Sequence, residues 1–482
     1  MKPDINPAIF REYDIRGIVD KDLTVETVKV LAQGIIRFLR EKDTGRDILI
    51  GRDNRHSSRP FRDIVVHALV GSGYRVVDVG EVPTPVLYFA LRHFAIPTGI
   101  MITGSHNPPS YNGFKVAIDD HCIWGTDIRH IYDLIREDRG EEKEDREERD
   151  REKEDREKTG RERKAQAEGE GGSVREADAV TPYVEEIAGR LTLQRKLKVV
   201  TDAGNGMAGG VAPKLLRKMG VEVIELFSES DGTYPNHHPD PTQPGQYKVL
   251  METVRKERAD VGLAYDGDAD RLGAVDENGR MMFGDEMLIL FSREILEKHP
   301  GATICMEVKC SQALVEDIEA HGGRPHMTPT GHSIIEAELE KTNALLAGEM
   351  SGHIYFNDEW YGFDDSIYAG ARLLRILSNT DRRLSTLLDD APKYFSTPEI
   401  RIKVPEEKKF EMVKAIKEAF KKDFRIIDID GVRFLTDDGW GLVRASNTQP
   451  ALVVRAEAKT EKGLEHIRSL LGGQLARFDV SF

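Results

Sequence analysis

The stretch TGSHNPPSYNGFK, residues 103 to 115, sets a hydroxyl (Ser105), an imidazole (His106) and an ammonium (Lys115) on a segment that Pro108, Pro109 and Gly113 keep out of helix or strand. A rigid loop is predicted, with its short polar side chains facing water or a ligand. A second stretch, DGDADR at 266 to 271, places Asp266, Asp268 and Asp270 at alternate positions between the apolar runs ADVGLAY and LGAV. Three carboxylates so spaced in a tight turn converge on one hard cation. An EF-hand finds Glu277 at its twelfth position but needs glycine at its sixth, where Arg271 stands, and it needs helical flanks. An acidic turn without metal is the plainer alternative. Mg²⁺ on few carboxylates completes its shell with water and phosphate oxygen, so a phosphate is expected nearby, and Ser105 can carry it.

A hydrolytic Ser-His-acid triad is the rival reading of Ser105. The segment lacks the G-x-S-x-G elbow, and His106, adjacent in sequence, is expected to be badly placed to take its neighbour's proton. The metal loop, the serine and Lys115 fit phosphoryl transfer, which relies on positioning and charge stabilisation. Arg271 either offsets the aspartates' repulsion or reaches a phosphate. Two further loops suit anions and hydroxyls. GLVRASNTQP, 441 to 450, offers Arg444, Ser446, Asn447 and Thr448 as donors, although an ordinary turn between strands explains it in isolation. GEMSGH, 348 to 353, puts Glu349 and Ser351 at the end of the apolar run ALLA.

The elements that must hold these loops follow from patterning. An apolar strand, a polar turn, an amphipathic helix and a second strand recur in DILIGRDNRHSSRPFRDIVVHALVGSGYRVVDVG, in LKVVTDAGNGMAGGVAPKLLRKMGVEVIELF and in ATICMEVKCSQALVEDIEAHGGRPHMTP. Three related α/β domains with helix-covered sheets are predicted. After residue 393 the pattern becomes a smaller α+β domain, with a helix near 406 to 422 and a hairpin turn at Asp430-Gly431. The expected domains are 1–136, 173–280, 281–392 and 393–482, arranged around a central cleft. Between the first two, 137–172 is a charged insert, whose core from 137 to 164 holds no apolar residue. Its i,i+4 pairs, such as Glu142 with Arg146, allow a solvated linker helix, and its composition equally suits a disordered insert.

The chain has 482 residues, enough for several cores, and no apolar run nears the roughly 20 residues of a membrane span. Its start, MKPDINPAIFREYDIRG, lacks the apolar centre of a signal peptide, which points to the cytoplasm. Three cysteines, Cys122, Cys305 and Cys310, make neither a disulfide framework nor a zinc site. A net charge of −15 argues against nucleic acid, and any anionic substrate needs local positive groups.

TGSHNP, DGDADR, GEMSGH and RASNTQP in this order resemble the α-D-phosphohexomutase family, over nearly the whole chain apart from the insert. FREYDIRG at 10 to 17, YPNHHPDP at 234 to 241 and GHIYFNDEWYGFDDSIYAGARLL are similar to its bacterial bifunctional phosphomannomutase/phosphoglucomutase branch. The methionine of GEMSGH favours that branch over phosphoglucosamine mutases. The resemblance implies interconversion of hexose 1-phosphate and hexose 6-phosphate through a hexose 1,6-bisphosphate, with Ser105 as the phosphorylated serine. It implies Mg²⁺ held by Ser105, Asp266, Asp268 and Asp270, sugar hydroxyls gripped by Glu349 and Ser351, and the second phosphate bound by Arg444, Ser446, Asn447 and Thr448. Tyr13, Arg16, Lys115, Arg271, Lys309, His332 and His353 match further cleft positions. Of these Arg16, Lys115 and His353 are the candidates for proton transfer or transition-state charge. One departure is Ala269, where the family often has glycine; a positive φ there would cost about 1 kcal/mol. The alternatives are a phosphoglucosamine mutase, a phosphatase that releases phosphate to water, and a non-catalytic sugar-phosphate-binding protein.

Overall fold

The computed structural model describes residues 5–137, 171–447 and 449–481. Each predicted strand–helix–strand unit is present, its two strands parallel: Asp47–Arg52 with Arg75–Glu81, Lys198–Asp202 with Glu222–Leu226, and Thr303–Glu307 with Arg324–Thr328. In every unit the first strand takes a third parallel strand on its other side, respectively Gly99–Ile102, Val261–Tyr265 and Leu346–Gly348. The chain then reverses into an antiparallel neighbour, Tyr111–Ile118, Leu272–Val275 and Ile354–Phe356; the loop predicted over 103 to 115 thus ends at Ser110, and Gly113 and Lys115 sit on a strand paired on both sides. The three sheets therefore repeat one strand order. TGSHNPPS, DGDADR and EMSGH each occupy the same reversal, after the carboxyl end of the third parallel strand. Open α/β sheets gather ligands at such strand ends, because the strands' backbone pairing stops there and leaves loop groups facing outward.

Two boundaries need correction. Ser173–Glu176, expected to begin the second domain, pairs parallel with Arg75–Glu81 at the edge of the first sheet. Met281–Met282, expected to begin the third, pairs antiparallel with Leu272–Val275 in the second. Neither segment signals its partner, since one is exposed throughout and the other is two residues long. The charged insert, read as a linker helix or disordered segment, falls on 138–170 outside the described residues apart from its edges.

One apolar core runs through the first three domains, from Leu49 to Ala391, and takes in the helices Thr84–His93, Val180–Arg190, Gly284–Lys298 and Ser366–Ser378. The opposite face of the first sheet has its own cluster under the helices Val25–Glu41, Ser58–Gly71 and 126–137. The last domain is an antiparallel sheet that includes Val432–Leu435, Gly439–Ala445 and Ala451–Ala458, packed on the helices Lys409–Phe420 and Glu461–Leu475 around a separate core. Its hairpin turn at Asp430-Gly431 is as predicted, with Gly431 at φ +83°. Among the described residues, no helix is long and apolar enough to cross a membrane.

Candidate active site

Ser105 is 3% exposed and holds a left-handed backbone, φ +48°, which costs a non-glycine residue about 1–2 kcal/mol and must be imposed by its surroundings. Its N–H donates to Thr103 Oγ1 at 2.8 Å. Its Oγ lies 3.4 Å from Asp266 Oδ2, so the serine loop of one sheet meets the aspartate loop of the next. The same turn brings Oγ to 3.1 Å from His106 Nδ1, which corrects the expectation that adjacent residues are badly placed for each other. Burial, followed by Arg271 and Arg16, holds the His106 imidazole well below its ordinary pKa. Among the described residues no carboxylate pairs with it, so a hydrolytic triad lacks its third member.

Asp266, Asp268 and Asp270 are fully buried, and each offers an oxygen within 4.8 Å of the others. Asp266 Oδ1 accepts from the N–H groups of Asp270 and Arg271, while Asp268 Oδ2 accepts from Thr84 and Thr103. Burial and the neighbouring carboxylates push Asp266 well above the usual range. Burial pushes Asp270 the same way, but Lys115, His353 and Arg271 outweigh it. Asp268 Oδ1 and Asp270 Oδ1 are buried with no hydrogen-bond donor. Desolvated acceptors without donors are costly, and a hard cation bound by oxygen offsets that cost, so these residues fit such a metal. Gly267 is needed in this turn because a Cβ there would lie 2.5 Å from the Ser105 carbonyl. Ala269 has φ +62°, the strained conformation its position was suspected to require.

Cations surround the acidic loop. Lys115 Nζ is 2.6 Å from Asp270 Oδ2, and although burial disfavours its charge, Asp270 and Asp268 raise its pKa. Arg271 Nε donates to His353 Nε2 at 2.9 Å, and His353 Nδ1 sits 2.8 Å from Asp364 Oδ2. Arg16 reaches Asp14 and Asn107. His332 stacks on His353 with ring centroids 5.9 Å apart.

The other loops face this one across a cavity of about 950 Å³. Glu349 accepts from Gly331 N at 2.9 Å and from Ser351 Oγ at 2.6 Å. Lys309 bridges Glu399 at 2.9 Å and Glu307 at 3.4 Å. Glu307 is pushed up to about 7 by burial, against the pull of Lys309. Arg444 is held by Asp430, 2.8 Å from Nε, and Asn447 Nδ2 donates to Tyr13 OH at 2.5 Å, which joins the last domain to the first.

Fourteen of the seventeen expected residues line the cavity: Tyr13, Arg16, Ser105, Lys115, Asp270, Arg271, Lys309, His332, Glu349, Ser351, His353, Arg444, Ser446 and Asn447. Asp266 and Asp268 lie behind Asp270, and Thr448 falls outside the described residues. Residue types alone missed Asp364, Glu307 and Glu399, which touch His353 and Lys309; Glu307 and Glu399 stand in no recognisable loop, whereas Asp364 falls within the motif GHIYFNDEWYGFDDSIYAGARLL. They also missed His238 and Asp240 of the cavity wall, although both fall within the YPNHHPDP motif.

Comparison with known proteins agrees over the whole chain. Models of phosphoglucomutase/phosphomannomutase alpha/beta/alpha domains I, II and III match residues 7–141, 181–279 and 283–395, and that of the C-terminal domain matches 399–471. A phosphomannomutase/phosphoglucomutase of Pseudomonas aeruginosa is 42% identical over 99% of this chain and 98% of its own. A phosphoglucomutase of Neisseria gonorrhoeae is 42% identical over 96% of each. The crystal structure of a phosphoglucomutase/phosphomannomutase family protein from Burkholderia thailandensis superposes with a TM-score of 0.87 at 37% identity, covering 99% of this chain and all of that one.

Proposed function

The chain belongs to the phosphoglucomutase/phosphomannomutase family of mutase enzymes, and from that premise we propose that it interconverts the 1- and 6-phosphates of glucose and mannose through a phosphorylated Ser105. The carrying observation is the pairing of ends. Ser105 Oγ faces Asp266 at one side of the cavity, while Arg444 and Asn447 offer donors at the other. Two phosphate sites in one cleft are what a bisphosphate needs, and a phosphatase needs only one.

In the forward step a hexose hydroxyl attacks the phosphorus on Ser105. The bond to Oγ breaks, the proton of the attacking hydroxyl ends on the released Ser105 Oγ, and hexose 1,6-bisphosphate is left beside the free serine. After the sugar turns over, Ser105 Oγ takes the other phosphoryl group and the isomer departs. Lys115, Arg16 and Arg271 provide the positive charge that a net −15 denies the surface at large, and they meet the charge on the phosphoryl oxygens. The neighbouring Asp270 and Asp268 favour the charged form of Lys115, which suits it to serve as a cation or as an acid. Glu349 and Ser351 are set to bond sugar hydroxyls. Asp266, Asp268 and Asp270, with Ser105, would hold Mg²⁺, which when bound supplies charge neutralisation at the transferring phosphate.

The test is kcat/KM for glucose 1-phosphate, mannose 1-phosphate and glucosamine 1-phosphate, with Mg²⁺ and a trace of glucose 1,6-bisphosphate. Comparable rates on glucose and mannose are expected. A strong preference for glucosamine assigns the chain to that chemistry instead, and absence of isomerisation on all three refutes the proposal.

A further inference from the structure

Arg55 lies outside the cleft, in the turn between the strand Asp47–Arg52 and the helix Ser58–Gly71, and the reaction above makes no use of it. It is 1% exposed. A guanidinium carries five N–H donors, and here all five are engaged. Nε donates to Asp53 Oδ2 at 3.0 Å. Nη1 donates to the carbonyls of Pro108 and Tyr111 at 2.6 and 3.1 Å. Nη2 donates to those of Ser105 and Asn107 at 2.7 and 2.6 Å. Four of the five acceptors are thus backbone carbonyls of the serine loop, a segment whose two prolines leave it short of backbone donors of its own.

Asp53 closes the arrangement by accepting from Gly104 N at 3.0 Å. Gly104 has no side chain for a steric reason: a Cβ there would lie 2.4 Å from Arg55 Cζ. The second domain covers the assembly, with the Tyr234 ring 5.4 Å from the guanidinium and Asn54 Nδ2 donating to Asn205 O at 2.7 Å.

We infer that Arg55 is a positioning residue for the phosphoryl acceptor. It fixes the loop backbone, the left-handed Ser105 included, so that Oγ is delivered to the aspartate loop of the second domain. The inference rests on the reading of Ser105 as phosphoryl carrier. Lysine in this place keeps the charge but has three donors and no planar fork, so at least one of the four loop carbonyls loses its partner.

The test compares the full-length parent with Arg55→Lys, Arg55→Ala, Gly104→Ala and Ser105→Ala. It reads kcat and KM for glucose 1-phosphate, and the single-turnover rate at which glucose 1,6-bisphosphate phosphorylates the dephosphorylated protein. A displacement of about 1 Å at a reacting atom costs about 100-fold, so Arg55→Lys and Gly104→Ala are both expected to lower kcat and the phosphorylation rate by about that factor, with KM within about threefold of the parent. Gly104→Ala leaves Arg55 in the chain and evicts only its guanidinium, so it decides the matter should Arg55→Lys fail to fold. Partial rescue of Arg55→Ala by added guanidinium ion is the further expected sign, one that a general loss of structure would not give. Folded Arg55→Lys and Gly104→Ala variants that transfer phosphate at the parent's rate, or that raise KM with kcat unchanged, overturn the inference. Full activity in Ser105→Ala overturns the underlying reading instead.

Discussion

At the Ser105 end of the cleft, three loops leave the same reversal in three sheets that share one core, and residues in and beside them meet in buried contacts, Ser105 with Asp266 and Lys115 with Asp270, and in the part-buried contact of Arg271 with His353. At the Arg444 end, a single loop joins two antiparallel strands of a domain with its own core. That loop reaches the rest of the cleft through Asn447 and Tyr13, and Arg444 is steadied by Asp430 of its own domain. The last domain meets the third through a small apolar contact, Val308 with Trp440 and Leu442, and through polar contacts: Arg433 donates to the carbonyls of Val308 and Cys310, Arg455 reaches Asp285, Gln312 N donates to Glu457, Thr330 N donates to Asp430, and Lys309 pairs with Glu399. The difference separates two tasks. The Ser105 end is held by one continuous apolar core, while the Arg444 end belongs to a domain with a separate core, joined to the others mainly by polar contacts; on the proposed reading the first exchanges bonds and the second grips the phosphate not being transferred. Under the proposed function, a bisphosphate that turns over without escaping calls for such a division between a fixed end and a separately built clamp.

The largest expected effect is at the fixed end. Ser105→Ala should lower kcat by about 10⁴-fold or more, the scale on which losing a nucleophile is felt, in an assay of glucose 6-phosphate formation. Asp268→Asn should raise the Mg²⁺ concentration for half-maximal rate about 10–100-fold, as read from metal titrations of activity. At the other end, Arg444→Ala removes charged hydrogen bonds of about 1.5–3 kcal/mol and should raise KM about 10–100-fold. Phosphorylation of Ser105 by glucose 1,6-bisphosphate at saturation should then be spared, and equal loss of both would erase the distinction between the ends. The smallest effect belongs to the contact across the cleft. Asn447→Ala and Tyr13→Phe should each raise KM about threefold, and the double variant should be no worse than the worse single one if they report one hydrogen bond.

Much of this was legible in the sequence because its signals are local. Strand and helix periods fixed the three repeated units, and each chemical loop is a short motif whose residue types announce hydroxyl, carboxylate or cation. Ala269 was marked by its departure from the glycine that the resembled family often has there, and it has φ +62°. What escaped depends on partners distant in the chain. Ser173–Glu176 is polar and exposed, and only its pairing with Arg75–Glu81 makes it a strand of the first sheet. His106 looked badly placed because side-chain direction after Ser105 depends on a positive φ that no composition rule supplies. Arg55 reads as one more polar residue in a turn, and its role appears only when residues 105 to 111 fold back over it.

The most direct test of the central claim is a transfer experiment with glucose 1,6-bisphosphate carrying ³²P on both phosphates. The dephosphorylated protein is incubated with it, digested, and the labelled peptide sequenced; a second portion is chased with unlabelled glucose 1-phosphate. The account predicts label on Ser105 that passes into hexose phosphate as fast as isomerisation proceeds. Isomerisation without label on Ser105, or label there that does not chase, would contradict it.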